Sequence, residues 1–265
     1  MKKYTVIGNP IDHSLSPDLH NHWIKENNIN AVYDKIKLEK NEIQNFISKV
    51  KEQKINGCNV TIPFKKFVIP FLDKLSFEAD QTQSVNTIAF EDGYLVGHNT
   101  DVFGFQKAIQ ILNYNIKDKK VFILGSGGVV PSIIFALNRM GVSEIIISNR
   151  TREKAEDLKK YFKNLDILEW GRVPEEYNII INATSLGLNN ESISLDLSNN
   201  LSSKLFYDVI YNPSETKFLK EGKKFGHQVE NGKLMFVYQA LEAFRLWHNV
   251  EPNITKQTLE LLRND

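Results

Sequence analysis

Cysteine, net charge and long apolar runs are all scarce in this chain of 265 residues. Cys58 is the single cysteine, so no disulfide can form within the chain, and such thiol content suits a reducing compartment. Lys and Arg number 33 against 32 Asp and Glu, for a formal net charge of +1. That balance provides no strong field for nucleic acid or an anionic membrane as the main partner. One well-placed arginine would still suffice for a small anion. No stretch approaches the ~20 apolar residues that a membrane-spanning helix needs. The start, Met1-Lys2-Lys3-Tyr4-Thr5-Val6-Ile7-Gly8, is basic, but its apolar run ends at Gly8-Asn9-Pro10, too soon for a signal-peptide core. These absences favour a cytoplasmic protein that handles small molecules, as a monomer or homodimer, with no nucleic-acid or membrane partner. The length allows one large domain or two modest ones.

Short β-branched runs alternate with longer amphipathic stretches. Thr5-Val6-Ile7 reads as a strand. Ser16-Pro17-Asp18 reads as a helix start, a capping hydroxyl followed by proline in the first turn. Ile43, Phe46, Ile47 and Val50 recur at helical spacing. Cys58 to Ile62 is a strand stopped by Pro63, and Ser84–Phe90 and Tyr94–Val96 form a hairpin about Asp92-Gly93. From Val121 the pattern becomes apolar strand, helix, apolar strand, helix: Val121–Leu124, Val130–Met140, Glu144–Ser148, then Ala155, Leu158 and Phe162. Ile179–Ile181 and Leu205–Ile210 follow, with a surface loop expected from Asn189 to Ser203. Continuous apolar strands alternating with helices predict a parallel sheet covered on both faces. The joint between the halves, Asp101 to Tyr114, reads as helix, as does Phe236 to Trp247. Residues 1–101, completed by 237–265, are expected to form one domain, and 102–236 the other.

Gly125-Ser126-Gly127-Gly128 lies between a predicted strand and a predicted helix. Glycines there let backbone amides approach a pyrophosphate at a helix N-terminus. A plain tight turn is the alternative, and Val130 stands where the third glycine of the dinucleotide fingerprint belongs. About 20 residues further on, where NAD sites carry an acid, the chain has Asn149-Arg150-Thr151-Arg152. A guanidinium there suits the 2′-phosphate of NADP.

The first half scatters polar residues at strand ends and turns: Ser14, Ser16, Asn59, Thr61, Lys65, Asn86 and Asp101. Each has an ordinary explanation, as a cap, a turn former or a surface lysine. Together, however, Ser14-Leu15-Ser16-Pro17, Asn59-Val60-Thr61-Ile62-Pro63-Phe64-Lys65, Val85-Asn86-Thr87 and Asn99-Thr100-Asp101 resemble shikimate dehydrogenases. The resemblance continues through Gly125–Gly128, Asn149-Arg150-Thr151, Asn182-Ala183-Thr184-Ser185, Asp208–Pro213, Gly232 and Met235–Ala240. It spans nearly the whole chain.

The resemblance implies an α/β fold: an N-terminal substrate domain with a mainly parallel sheet, a Rossmann-like NADP domain, and substrate in the cleft between them. It implies NADPH-dependent reduction of 3-dehydroshikimate to shikimate, a step toward chorismate and the aromatic amino acids. Lys65 and Asp101 would be the catalytic pair. Ser14, Ser16 and Tyr211 would hold the substrate carboxylate, and Asn59, Thr61, Asn86, Asp101 and Gln239 its ring hydroxyls. Gly125, Ser126, Gly127, Gly128, Val129, Asn149, Arg150, Thr151, Lys154, Thr184, Val209 and Gly232 would bind NADP. No metal is called for: His20 and His22, two apart on a helix, do not share a face. The chain departs from the family pattern at Gln83-Ser84, commonly Gly-Ala, and at Asn231 and Leu234, commonly Asp and Gly. The rival readings are a quinate/shikimate dehydrogenase preferring NAD and a catalytically silent NADP-binding regulator on the same scaffold.

Overall fold

The computed structural model describes residues 1–197 and 203–262. The described chain divides into two compact units, residues 1–104 with 237–262, and residues 105–236.

The sheet of the first unit contains β1 (Lys2–Gly8), β2 (Ala31–Lys37), β3 (Gly57–Val60), β4 (Lys74–Leu75), β5 (Thr87–Glu91) and β6 (Tyr94–His98), in the order β2-β1-β3-β5-β6-β4. Pairings of β1 with β2 and β3, and of β4 with β6, are parallel; β5 runs antiparallel to β3 and β6. The β5–β6 hairpin turns at Asp92 (φ 48°) and Gly93 (φ 84°), the two left-handed residues a tight hairpin of matching twist requires.

Helices α1 (Ser16–Glu26), α2 (Ile43–Lys51), α3 (Phe77–Thr82) and α4 (Thr100–Ile111) follow in chain order. Ile43, Phe46, Ile47 and Val50 of α2 pack with Ile7, Val60, Ile88 and Leu95 of the sheet in one core cluster. Each such buried side chain contributes roughly 1.5–3 kcal/mol. An aromatic cluster of Trp23, Tyr33, His20, Phe244 and Trp247 joins α1 and β2 to the C-terminal helix.

The start of α1 differs from the sequence expectation. Leu15, not Ser16, is the N-cap residue, and no side chain caps it. The Ser14 hydroxyl instead accepts from the Ser16 N–H at 3.4 Å. Ser16 is thereby the first helical residue, buried, with its hydroxyl released from capping. Gln83, where the family commonly has glycine, ends α3 in the left-handed conformation, φ 48°. Its side-chain amide donates to the Asp80 carbonyl at 2.7 Å.

The second unit holds β7 (Lys120–Leu124), β8 (Glu144–Ser148), β9 (Asp166–Leu168), β10 (Ile179–Asn182), β11 (Leu205–Asp208) and β12 (Gln228–Glu230). Their order is β12-β11-β10-β7-β8-β9, every pair parallel. This is the doubly wound dinucleotide-binding order, which reverses between its first and fourth strands, here β7 and β10. Helices α5 (Val130–Arg139), α6 (Arg152–Leu158) and α7 (Lys217–Lys224) lie in this unit. The chain closes with α8 (Lys233–His248) and α9 (Lys256–Glu260). The segment read as a surface loop from Asn189 is not wholly superficial. Ile193 and Leu197 are buried in one cluster with Phe122, Tyr177 and Phe206; residues 198–202 of that expected loop lie outside the described residues.

Candidate active site

In the first unit, strand ends and one helix start bring polar side chains together. Lys65 follows β3, and Asp101 lies in the first turn of α4. Lys65 Nζ donates to Asp101 Oδ2 at 2.6 Å, with the two side chains 12% and 8% exposed. So little water at a charged pair strengthens its mutual attraction. Asn86, 3% exposed, donates from Nδ2 to Asp101 Oδ1 at 3.0 Å and to Gln239 Oε1 at 3.4 Å. The chain positions 65, 86, 101 and 239 thus meet in one polar cluster.

Asn59, on β3, is 7% exposed. Its Nδ2 donates to the Asn86 carbonyl at 3.1 Å and to Thr87 Oγ1 at 2.9 Å, and its Oδ1 accepts from the Tyr33 hydroxyl at 2.6 Å. Thr61 is half-buried just beyond β3, its N–H donating to the Ile7 carbonyl. Ser14 is half-buried, and Ser16 is buried. Tyr33 and Thr87, absent from the sequence-derived set, are therefore woven into the same network. A tyrosine in an edge strand carries no signal of its own; only its contact with Asn59 marks it.

Tyr211 belongs to the second unit. Its ring stacks on Phe236, centroids 4.6 Å apart, and burial pushes its phenol up to about 12.

The second unit builds its candidate site mainly from backbone. Gly125 ends β7 with φ 102°, and its N–H donates to the Ser148 carbonyl at 2.8 Å. A Cβ there would lie 2.7 Å from the Ala183 carbonyl oxygen, beyond β10. Both the left-handed conformation and the close approach require glycine. A Cβ on Gly232 would collide with the Val209 carbonyl. Gly127 and Gly128 are exposed, Val129 caps α5, and the Ser126 hydroxyl is buried with no partner in the chain. A glycine cradle at a helix N-terminus, carrying an unsatisfied hydroxyl at the switch point of the sheet, fits a dinucleotide pyrophosphate.

At the end of β8, Asn149 Nδ2 donates to the Thr151 carbonyl at 2.7 Å. Arg150, Thr151 and Lys154 are exposed there. Arg152 pairs with Glu156 at 3.1 Å, which leaves Arg150 the better placed for an incoming anion.

Beneath the loops, Asp208 accepts from Thr216 Oγ1 at 2.6 Å, and from Asn182 Nδ2 and the Ile210 N–H at 3.0 Å each. Burial is the main cause of a raised carboxyl pKa at Asp208. Asn182 Oδ1 accepts from Thr184, both from its N–H at 3.1 Å and its hydroxyl at 2.7 Å, and the Val209 N–H reaches the Asn182 carbonyl. Thr184 is thus held by the buried Asn182 side chain, and Val209 by the Asn182 main chain. Asn231, in place of the family's usual acid, accepts from the Lys233 N–H at 3.0 Å and so caps α8. Among the described residues no group of three or more His, Cys, Asp or Glu side chains is arranged to hold a metal.

Three family models match this chain. Residues 6–88 match the shikimate dehydrogenase substrate binding domain, 106–210 the shikimate / quinate 5-dehydrogenase domain, and 234–263 the shikimate 5′-dehydrogenase C-terminal domain. A relative from Pelagibacter ubique, named shikimate dehydrogenase (NADP(+)), is 50% identical over 262 residues, covering 98% of each chain. The crystal structure of shikimate dehydrogenase from Aquifex aeolicus superposes with a TM-score of 0.89 at 34% identity, covering 100% of this chain and 98% of that one. Shikimate 5-dehydrogenase from Thermus thermophilus, in complex with NADP(H) and shikimate, gives a TM-score of 0.89 at 30% identity, covering 99% and 98%. By sequence over nearly its full length and by the fold of both units, the chain belongs to the shikimate dehydrogenase family.

Proposed function

We propose that the chain catalyses the reversible, NADP-dependent interconversion of shikimate and 3-dehydroshikimate. The observation that carries this reading is the water-poor Lys65–Asp101 pair at 2.6 Å, set beside the Asn86 and Gln239 amides. Reducing a ring ketone builds negative charge on its oxygen, and taking a hydride from the carbinol carbon in the reverse direction requires that the hydroxyl proton leave. Lys65 Nζ meets both needs: it neutralises the oxygen and hands over a proton in one direction, and receives it in the other. Asp101 fixes Nζ through Oδ2 while Asn86 fixes Oδ1. No metal enters this account.

Ser14 and Ser16 offer hydroxyls to the substrate carboxylate; Asn59, Thr61, Asn86, Asp101 and Gln239 address its ring hydroxyls. Tyr211, kept protonated by burial, offers an O–H to an anion. The residues of the second unit that would hold the dinucleotide are Gly125–Val129 at the pyrophosphate, Asn149, Arg150, Thr151 and Lys154 at the phosphorylated ribose, and Thr184, Val209 and Gly232 toward the nicotinamide. When bound, NADP supplies the two-electron hydride carrier. The names of the relatives support the same substrate and cofactor. The single cysteine, Cys58, is buried, in keeping with an enzyme of the cytoplasm. It acts as a monomer or homodimer, a choice that light scattering on the purified chain decides.

The test is the initial rate of absorbance change at 340 nm with shikimate and NADP. Steady turnover is expected. A pure, folded chain that reduces no NADP in the presence of shikimate would rule the activity out.

A further inference from the structure

We infer that Tyr33 and Thr87 are positioning residues for the reaction: their hydroxyls complete a one-way chain of hydrogen-bond donors that ends on the Asp101 carboxylate. The inference rests on the proposed activity and extends it to residues outside the substrate and cofactor sets.

The direction of the chain follows from groups that can act in only one sense. The Asn86 main-chain carbonyl only accepts, so the nitrogen of Asn59 must face it, at 3.1 Å. The second N–H of that amide goes to Thr87 Oγ1 at 2.9 Å. Asn59 Oδ1 then accepts the Tyr33 proton at 2.6 Å. At the other amide, the Thr100 main-chain N–H only donates, and it reaches Asn86 Oδ1 at 2.7 Å. That fixes Asn86 Nδ2 toward Asp101 Oδ1 at 3.0 Å and Thr100 Oγ1 at 2.9 Å. Thr87, having accepted from Asn59, delivers its own proton either directly to Asn86 Oδ1 at 3.2 Å or to Thr100 Oγ1 at 3.3 Å, whose hydroxyl donates to the same oxygen at 3.2 Å. The order is Tyr33 to Asn59 to Thr87 to Asn86 to Asp101, and Lys65 closes it on Oδ2.

Every member is buried: Tyr33 1%, Asn59 7%, Thr87 0%, Asn86 3% and Asp101 6% exposed. In such surroundings an unmade bond is expensive, and a complete network selects one arrangement. The head of the chain is itself gripped. The Asn21 side chain accepts from the Tyr33 N–H at 2.9 Å and donates to its carbonyl at 2.7 Å. The His20 ring stacks on the Tyr33 ring at 4.2 Å, 2° from parallel. Burial also holds the phenol well above its ordinary pKa, so Tyr33 stays a donor.

Two consequences follow. Asn59 has both N–H groups committed, so it can meet a substrate hydroxyl only as an acceptor, through the free lone pair of Oδ1. Asp101 receives one bond on each oxygen, so the Asn86 contact sets the plane of the carboxylate that steadies Lys65. Damage at the head of the chain should therefore appear in substrate binding, and damage at its centre in turnover.

The experiment uses the full-length enzyme with shikimate and NADP, and compares Tyr33→Phe, Thr87→Val and Thr87→Ser. Each variant is measured for kcat, both KM values and its thermal midpoint. Tyr33→Phe is expected to raise KM for shikimate about 3- to 10-fold, with kcat and KM for NADP within about twofold. Thr87→Val should lower kcat about 10-fold at unchanged KM for NADP, and Thr87→Ser should restore most of it. Parental kinetics in both Tyr33→Phe and Thr87→Val would overturn the inference, as would a Ser variant no better than Val. Lowered midpoints with unaltered kinetics would reduce both residues to a structural role and equally overturn it. If Thr87→Val does not fold, Tyr33→Phe decides alone, since it keeps the ring stack. An inactive parent would sink the activity itself and this inference with it, whereas an active parent with indifferent variants would sink only the inference.

Discussion

The two units assemble their sites by opposite means. In the first, side chains bond side chains: Lys65, Asp101, Asn86, Asn59 and Thr87 form one buried hydrogen-bonded network. In the second, backbone does most of the shaping. Gly125 and Gly232 are there because a Cβ would strike the Ala183 and Val209 carbonyls, and Arg150 stands exposed at a strand end. The difference teaches where substitutions should be felt. A buried side-chain network carries chemistry and is sensitive atom by atom, whereas a backbone cradle tolerates side-chain change and fails when a Cβ intrudes.

The contrast is tested most severely at Lys65. Lys65→Ala should lower kcat by roughly 10²–10⁴, the range for a positioned acid–base group. NADPH affinity, followed by fluorescence titration, should stay within about twofold. A parallel loss of cofactor binding would break the separation between the two units.

The reciprocal change is Arg150→Ala. Charge-assisted bonds to a 2′-phosphate are worth about 1.5–3 kcal/mol, so kcat/KM for NADP should fall by about 10- to 150-fold. The value for NAD, which lacks that phosphate, should hardly move. Equal losses for both cofactors would remove Arg150 from phosphate recognition.

A third effect concerns the packing that backs the first unit's network. His20 is 1% exposed, neither ring nitrogen has a partner, and burial lowers its pKa to about 3. The unfolded chain takes up a proton there below about pH 6.5, while the folded chain does so only near pH 3. The contribution of His20 is therefore fully present above about pH 6.5 and is lost as pH falls toward 3, at up to about 1.4 kcal/mol per pH unit. Urea unfolding at pH 7 and pH 5 should show a smaller decline in His20→Phe than in the parent. Identical declines would mean that His20 does not couple folding to pH.

Much of this organisation was legible in the sequence, for reasons that differ by region. The second unit's strands are apolar runs with little else they can be, and the parallel sheet follows from their alternation with helices. Asp92-Gly93 announced its hairpin through residues that accept positive φ. Less legible were β2, whose Ala-Val-Tyr-Asp-Lys-Ile-Lys run mixes charge with apolar residues because it edges the sheet, and the three-residue strands β9 and β12. Their pairing, not their composition, makes them strands. Ser-Pro usually begins a helix with the serine as cap, but here Ser14 takes up the Ser16 N–H instead. The polar motifs of the first unit could be found along the chain, but the contact between positions 86 and 239 is a long-range event that no local pattern encodes. Tyr33 and Thr87 carry no local signal for the same reason: their importance lies in what folding brings to their hydroxyls.

The most direct test of the account is kcat/KM for the parent enzyme with shikimate and quinate, each paired with NADP and NAD. Quinate carries an extra hydroxyl on the carbon bearing the carboxylate, where Ser14 and Ser16 are proposed to crowd it. Crowding and an imperfectly paired polar group cost about 1–3 kcal/mol each, so one such penalty already favours shikimate by roughly tenfold or more. The account predicts that shikimate with NADP is the best of the four pairs by at least that factor over each single exchange. Comparable values for quinate, or for NAD, would contradict it.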